Sequence, residues 1–195
     1  MESSHSETRG RTPVKIVVAG GFGVGKTTFV GAISEIEPIR SEALITEASI
    51  DVDDLYESGT KTTTTVAMDF GRISLKHDLV LYLFGTPGQT RFHFMWNELA
   101  RGAIGAVVLV DTRRIEDCFA AIDFFEKRQT PFVVAINTFD GTRVHGIEEV
   151  RNALQIDTRI PIMYCDARVR SEVQDALIAV VEHALDMATS EAATG

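Results

Sequence analysis

Gly20-Gly21-Phe22-Gly23-Val24-Gly25-Lys26-Thr27 lies between an apolar run at residues 14–19 and a helix-forming stretch at residues 28–36. The octapeptide fits the pattern G-x-x-x-x-G-K-[ST], and a glycine loop between strand and helix is the setting of a phosphate-binding loop. The physical cause is direct. Glycines let the backbone curl until successive N–H groups face phosphate oxygens, and the positive end of the following helix dipole adds to that field. Lys26 is placed to neutralise the β- and γ-phosphates, and the Thr27 hydroxyl to ligate Mg2+. A glycine-rich turn with no ligand is the bland alternative, and the flanking strand and helix argue against it.

Outward from this loop, apolar runs alternate with amphipathic stretches, the rhythm of a parallel sheet covered on both faces. Strands are expected at residues 14–19, 66–70, 78–84, 103–110, 131–136 and 161–164, and helices at 26–35, 89–101, 115–127, 147–154 and 171–187. In the last helix Val173, Ala176, Leu177, Val180, Val181 and Ala184 recur at helical spacing, so one face should dock on the sheet. The expected fold class is α/β, a three-layer P-loop arrangement with helices on both faces of a mostly parallel sheet. Residues 1–11 and 188–195 are small and polar and read as flexible tails around one domain at 12–187.

A chain of 195 residues with 45% apolar content suits one domain with a full core. Its net charge of -9 argues against a nucleic-acid partner, because such proteins carry basic surfaces that release counterions. No apolar run reaches membrane-spanning length, and neither Met1-Glu2 nor Ala193-Thr194-Gly195 carries a lipidation signature. The expectation is a cytoplasmic protein with no direct membrane insertion, recruited to a membrane only by a partner. Cys118 and Cys165 cannot make a disulfide framework and read as small apolar residues. His5, His77, His93, His145 and His183 show no metal-ligand spacing.

Four further segments carry chemistry. Residues 38–61 break the rhythm with an acidic stretch (Glu42, Glu47, Asp51, Asp53, Asp54, Glu57), which reads either as a functional loop or as a solvated insertion. It ends in Thr62-Thr63-Thr64-Thr65, whose hydroxyls could complete a Mg2+ shell; Thr65, next to the strand, is the first choice, with Thr63 and Thr64 as alternatives. Gly85-Thr86-Pro87-Gly88-Gln89 follows a strand beside the P-loop strand, where Gly88 N–H would sense a γ-phosphate and Gln89 would orient the attacking water. A plain Pro-Gly turn is the other reading. In Asn137-Thr138-Phe139-Asp140 the last carboxylate can accept from both N1–H and N2–H2 of guanine, a donor pair adenine lacks. In Cys165-Asp166-Ala167-Arg168 the Ala167 N–H could meet guanine O6. Each tetrad alone is weak, because Asn and Asp are common turn formers.

In this order the segments resemble the P-loop, switch I, switch II, base-specificity and final base-contact motifs of Ras-like small GTPases, over residues 13–187. Residues 15–28, 62–71, 83–89 and 101–114 are more similar still to the actinobacterial conservon (CvnD-like) GTP/ATP-binding proteins, relatives of the gliding-polarity GTPase MglA. The resemblance implies a six-stranded, mostly parallel sheet with five helices, a GTP/GDP cycle with Mg2+, and slow intrinsic hydrolysis. It also implies a roadblock-domain regulator and a sensor-kinase-like protein as partners. Carried over, the loop residues Gly20, Phe22, Gly23, Val24, Gly25, Lys26, Thr27 and Thr28 would hold the phosphates, with Gly88. Asn137, Thr138, Asp140, Asp166 and Ala167 would hold the base. Thr27 and Thr65 would ligate the metal, and Gln89 and Lys26 would be catalytic.

Two positions depart from that pattern. Gly85 stands where Ras-like proteins have the aspartate that holds a Mg2+-bound water; Asp69, on the strand face of Thr65 and Ala67, is a candidate substitute. Asp111 is another, with a helix N-cap as its simpler role. Thr138 replaces the lysine whose stem would lie against the base. Arg40, Arg91, Arg113 and Arg114 are each placed to act as an arginine finger in cis or, more simply, to make surface ion pairs. Phe92, Phe94, Met95 and Trp96 read either as core or as a partner-facing patch. The function expected is a small GTPase switch. Its rivals are a non-hydrolysing nucleotide-binding scaffold, which Gly85 favours, and an ATP-specific P-loop ATPase, which would need an early loop lysine where Gly21 stands.

Overall fold

The computed structural model of the chain describes residues 11–37, 39–46, 63–75 and 78–194. Glu47, Asp51, Asp53, Asp54, Glu57 and Thr62, and the expected N-terminal tail up to residue 10, lie outside the described residues. The strands are β1 (Thr12–Ala19), β2 (Ile39–Thr46), β3 (Thr63–Ser74), β4 (Leu79–Gly85), β5 (Gly105–Val110), β6 (Phe132–Asn137) and β7 (Ile162–Cys165). They form one sheet in the order β2-β3-β4-β1-β5-β6-β7. From β4 to β7 every pairing is parallel, while β3 runs antiparallel to both β4 and β2.

The α-helices are α1 (Lys26–Ile33), α2 (Trp96–Ala100), α3 (Phe119–Lys127), α4 (Ile147–Leu154) and α5 (Arg170–Thr194). Strand β5 explains the layering, since all six of its residues are buried. Val107 and Leu109 pack with Phe29, Val30, Val173, Ala176 and Val180 of α1 and α5 on one face. Ala106, Val108 and Val110 pack with Ala121, Ile122 and Phe125 of α3, and with Val150 and Leu154 of α4, on the other. A strand buried on both faces must be apolar at every position, which is why its sequence shows no alternation. Each such side chain contributes about 1.5–3 kcal/mol by leaving water.

The α/β three-layer class holds, and the details differ in four places. A seventh strand, β2, pairs along β3 from Ile39↔Phe70 to Thr46↔Thr63 and borders the sheet. An edge strand is hydrogen-bonded on one side only and needs no continuous apolar run, so Ile39–Thr46, with Arg40 and Glu42, read as loop. The expected helix at 89–101 is a 3-10 turn, Thr90–Met95, followed by the short α2; crowded aromatic side chains lose rotamer freedom in an α-helix. A second 3-10 turn, Thr112–Cys118, precedes α3. Finally α5 runs on to Thr194, so residues 188–194 continue the helix where a tail was expected. Phe92 and Trp96 are core and Phe94 is 55% exposed, which divides the aromatic run between the two readings.

Because β1, β4, β5, β6 and β7 are parallel, the segments that follow them leave from one edge of the sheet. The P-loop, Gly85–Gln89, Asp111, the loop from Asn137 and the loop from Cys165 are thereby brought to the same rim.

Candidate functional site

The P-loop turns on Gly25, whose φ of 108° places the residue before α1 in the left-handed region. Lys26, only 8% exposed, donates from Nζ to the carbonyls of Gly20 (2.9 Å) and Gly21 (2.6 Å). Burial lowers its pKa to about 8, against the opposing pull of the Asp69 charge. Gly88 lies on the loop. A Cβ built there would stand 2.8 Å from Lys26 Nζ and 2.8 Å from Phe22 Cα, so no larger residue fits without moving the backbone. The Trp96 indole fixes the approach by donating to Pro87 O at 3.2 Å. Gln89 follows as an exposed residue at the start of the 3-10 turn, and the Phe22 side chain is 64% exposed. Thr86, 3% exposed, has a hydroxyl with no hydrogen-bond partner among the described residues. Leaving such a group unmatched costs about 1–3 kcal/mol.

The metal donors expected at the site are reordered. The Thr27 hydroxyl donates to Asp69 Oδ2 at 2.6 Å. One step past the Phe70↔Phe84 pair, Asp69 stands across the antiparallel ladder from Gly85. A Cβ built on Gly85 would lie 3.0 Å from Asp69 Cβ and 3.2 Å from its Oδ2. The carboxylate beside Gly85 thus comes from the neighbouring strand β3. A hydroxyl and a carboxylate at this spacing are the oxygen donors that a hard divalent cation takes. No cluster of three or more His, Cys, Asp or Glu is present among the described residues, so any metal would draw further ligands from phosphate and water. Thr65 lies in β3 opposite Leu44, four residues from Asp69, which is roughly 13 Å along a strand. Its side chain lies outside the described ones.

Where the β6 and β7 loops meet the P-loop, Asn137 is the hub. Buried to 8% exposure, it donates from Nδ2 to Val24 O at 2.8 Å and accepts from Ala167 N–H at 3.2 Å. It thus ties the P-loop to both the β6 and β7 loops. The Ala167 N–H assigned to guanine O6 is therefore already engaged. Asp166 is held by Arg168, which donates from Nε at 2.9 Å and Nη2 at 2.7 Å, and these bonds keep its carboxyl below the usual range. Thr138 is buried, and its N–H donates to Cys165 O at 3.2 Å. The side chain of Asp140 lies outside the described ones.

Asp111 caps the turn after β5. It accepts from Arg113 N–H at 3.0 Å and from that guanidinium at 2.8 Å twice, which holds its carboxyl low and gives it the capping role. Arg113 also stacks on Phe139, its Cζ 4.1 Å from the ring centre. Arg114 reaches the P-loop, donating to Phe22 O at 3.0 Å. The side chains of Arg40 and Arg91 lie outside the described ones. Burial pushes both the Cys118 and Cys165 thiols up to about 12, which makes them poor nucleophiles. No described helix is long and apolar enough to cross a membrane.

The sequence of residues 18–187 matches the family described as conserved hypothetical ATP binding protein, ATP_bind_1. An uncharacterized protein of Methanocaldococcus jannaschii, MJ1339, is 30% identical over 130 residues, covering 65% of this chain and 71% of that one. The G domain of the T. maritima FeoB iron transporter superposes with a TM-score of 0.61 at 16% identity, over 89% of this chain and 99% of that one. The whole FeoB cytosolic domain in its GMPPNP form gives 0.61 at 17% identity; the match takes in 88% of this chain and only 64% of that longer one. At such identities the likeness is one of fold, a G-domain-like sheet with helices on both faces. With a P-loop whose lysine and threonine are in place and a family match over nearly the whole domain, the chain belongs to the ATP_bind_1 family of nucleotide-binding P-loop NTPases.

Proposed function

We propose that the chain is a guanine-nucleotide switch of the small GTPase kind, which binds GTP or GDP with Mg2+ and hydrolyses GTP slowly. The observation that carries the reading is the Thr27–Asp69 pair at 2.6 Å beside Lys26, with Gly88 packed on the same lysine. A phosphate arriving at the loop replaces the Gly20 and Gly21 carbonyls as the partner of Lys26, and it meets Gly88 at once. Occupancy of the P-loop is thereby coupled to the Gly85–Gln89 segment. Thr27 and Asp69 would hold the Mg2+, directly or through water. When bound, the metal neutralises charge on the β- and γ-phosphate oxygens. Gln89 orients the attacking water, and Asp140 accepts from the guanine edge.

Thr65 joins the metal only if the part of β3 before Asp69 leaves its pairing with β2 and folds back toward the P-loop, while Asp69 keeps its place opposite Gly85; that segment would then be the moving part of the switch. The resemblance to the conservon GTPases extends the proposal to a roadblock-domain regulator, a sensor-kinase-like partner and a cytoplasmic location with recruitment to a membrane. Adenine is the second reading, favoured by the family's description as ATP-binding. Single-turnover hydrolysis of GTP and of ATP by the purified chain decides between them. The proposal expects slow phosphate release from GTP alone, and release from ATP alone would replace it.

A further inference from the structure

The P-loop is touched by a second cation besides Lys26. The Arg114 Nη2 donates to Phe22 O at 3.0 Å, and a Cβ built on Gly23 would lie 3.6 Å from the same nitrogen. The backbone explains the reach. Within the turn Thr112–Cys118, Arg114 alone leaves helical geometry, at φ -145° and ψ 58°, and this break turns its side chain toward a loop 92 residues earlier. Two carboxylates flank the guanidinium, Asp117 at 3.6 Å and Asp111 at 3.8 Å.

We propose that Arg114 is a positioning residue that sets the Phe22–Gly23 peptide for phosphate binding. This rests on the nucleotide-binding reading above and adds a determinant that the P-loop pattern does not contain. A trans peptide is planar, with its C=O and N–H pointing opposite ways, and no cis bond occurs among the described residues. Holding Phe22 O toward the turn before α3 therefore directs the Gly23 N–H away from it, into the loop. Gly23, at φ 72°, imposes little conformational preference of its own, so an unpinned peptide would sample other orientations. A charge-assisted bond to the carbonyl selects one. Asp117 and Asp111 keep the guanidinium on the carbonyl side. Its effect thus falls on the binding of any nucleotide with a β-phosphate and not on γ-phosphate transfer.

The test is a comparison of Arg114→Gln, Arg114→Lys and Gly23→Ala with the unmodified chain, by calorimetry with GDP and GTP and by single-turnover hydrolysis of bound GTP. Thermal unfolding serves as the fold control. Arg114→Gln should weaken GDP and GTP by the same factor, about tenfold, with the hydrolysis rate of bound GTP within about twofold of the original. Arg114→Lys keeps one charged donor and should recover most of the affinity. Gly23→Ala disturbs the same peptide from within the loop, so its loss should be non-additive with that of Arg114→Gln. If Arg114→Gln does not fold, the same cycle is run with Arg114→Met, which also removes the donor. Unchanged affinities, additive losses, or slowed hydrolysis at unchanged affinity would overturn the proposal, the last by making Arg114 a transition-state arginine. If the unmodified chain bound neither GDP nor ADP, the functional reading itself would fail first.

Discussion

The Asp69 carboxylate occupies the space that a side chain on Gly85 would fill: a Cβ built on Gly85 stands 3.0 Å from Asp69 Cβ. Only one acidic residue fits this cross-strand pair. Asp69→Ala should weaken Mg2+-dependent nucleotide binding at least about tenfold, since it removes the carboxylate to which Thr27 donates. Gly85→Asp alone should destabilise, because two like charges would meet in close contact. The double variant Asp69→Ala/Gly85→Asp should recover part of the affinity by returning one carboxylate from the other strand. A Mg2+ titration of nucleotide binding on all four proteins closes the cycle, and strictly additive effects would count against the shared space.

Lys26 titrates unusually low, at about 8 against an ordinary 10.5. Between these values the unfolded chain binds more protons than the nucleotide-free fold, so the stability of that fold rises with pH across the window. Relative to Lys26→Met, the unmodified protein should gain about 3 kcal/mol between pH 8 and 10.5 in denaturant titrations. Triphosphate affinity should move the other way and fall above about pH 8, by up to about tenfold per pH unit, as the ammonium is lost. A flat affinity profile from pH 7 to 10 would mean that Lys26 does not bear on phosphate.

Asn137 holds three loops by two hydrogen bonds, to Val24 O and from Ala167 N–H. Asn137→Ala should cost about 1–3 kcal/mol in chemical denaturation, because it leaves both backbone groups buried without a partner. Nucleotide affinity should fall with it. A change confined to affinity, with stability intact, would place Asn137 on the ligand alone.

The local motif was legible because it is contiguous. Strand, glycine loop and helix follow one another from Thr12 to Ile33, and β5 announces its double burial by an unbroken apolar run. Asp69 could be nominated from strand alternation, but its meeting with Gly85 depends on the β3–β4 register, which no local pattern sets. Strand β2 was hidden by its charged residues, and the α5 extension by small polar ones that are still compatible with a helix. The Arg114–Phe22 bond had no local signal at all. It joins residues far apart in the chain through a single backbone kink.

Gln89 is exposed beside Gly88, free of the core packing that buries Phe92 and Trp96. Gln89→Leu should slow hydrolysis of bound GTP at least about tenfold while leaving GTP and GDP affinity unchanged, the pattern of a group acting in the transition state. An unchanged rate in single-turnover assays would make Gln89 a turn residue.

Base choice is the central claim, and it rests on Asp140. Displacement of a bound fluorescent guanine nucleotide by GDP, ADP and xanthosine diphosphate tests it most directly, on the unmodified chain and on Asp140→Asn. The account predicts that GDP competes at least about a hundredfold better than ADP, and that Asp140→Asn shifts preference toward the xanthine nucleotide, whose C2 carbonyl accepts from an amide. Equal competition by GDP and ADP, or a preference for ADP, would contradict it and leave the chain an adenine-nucleotide P-loop protein.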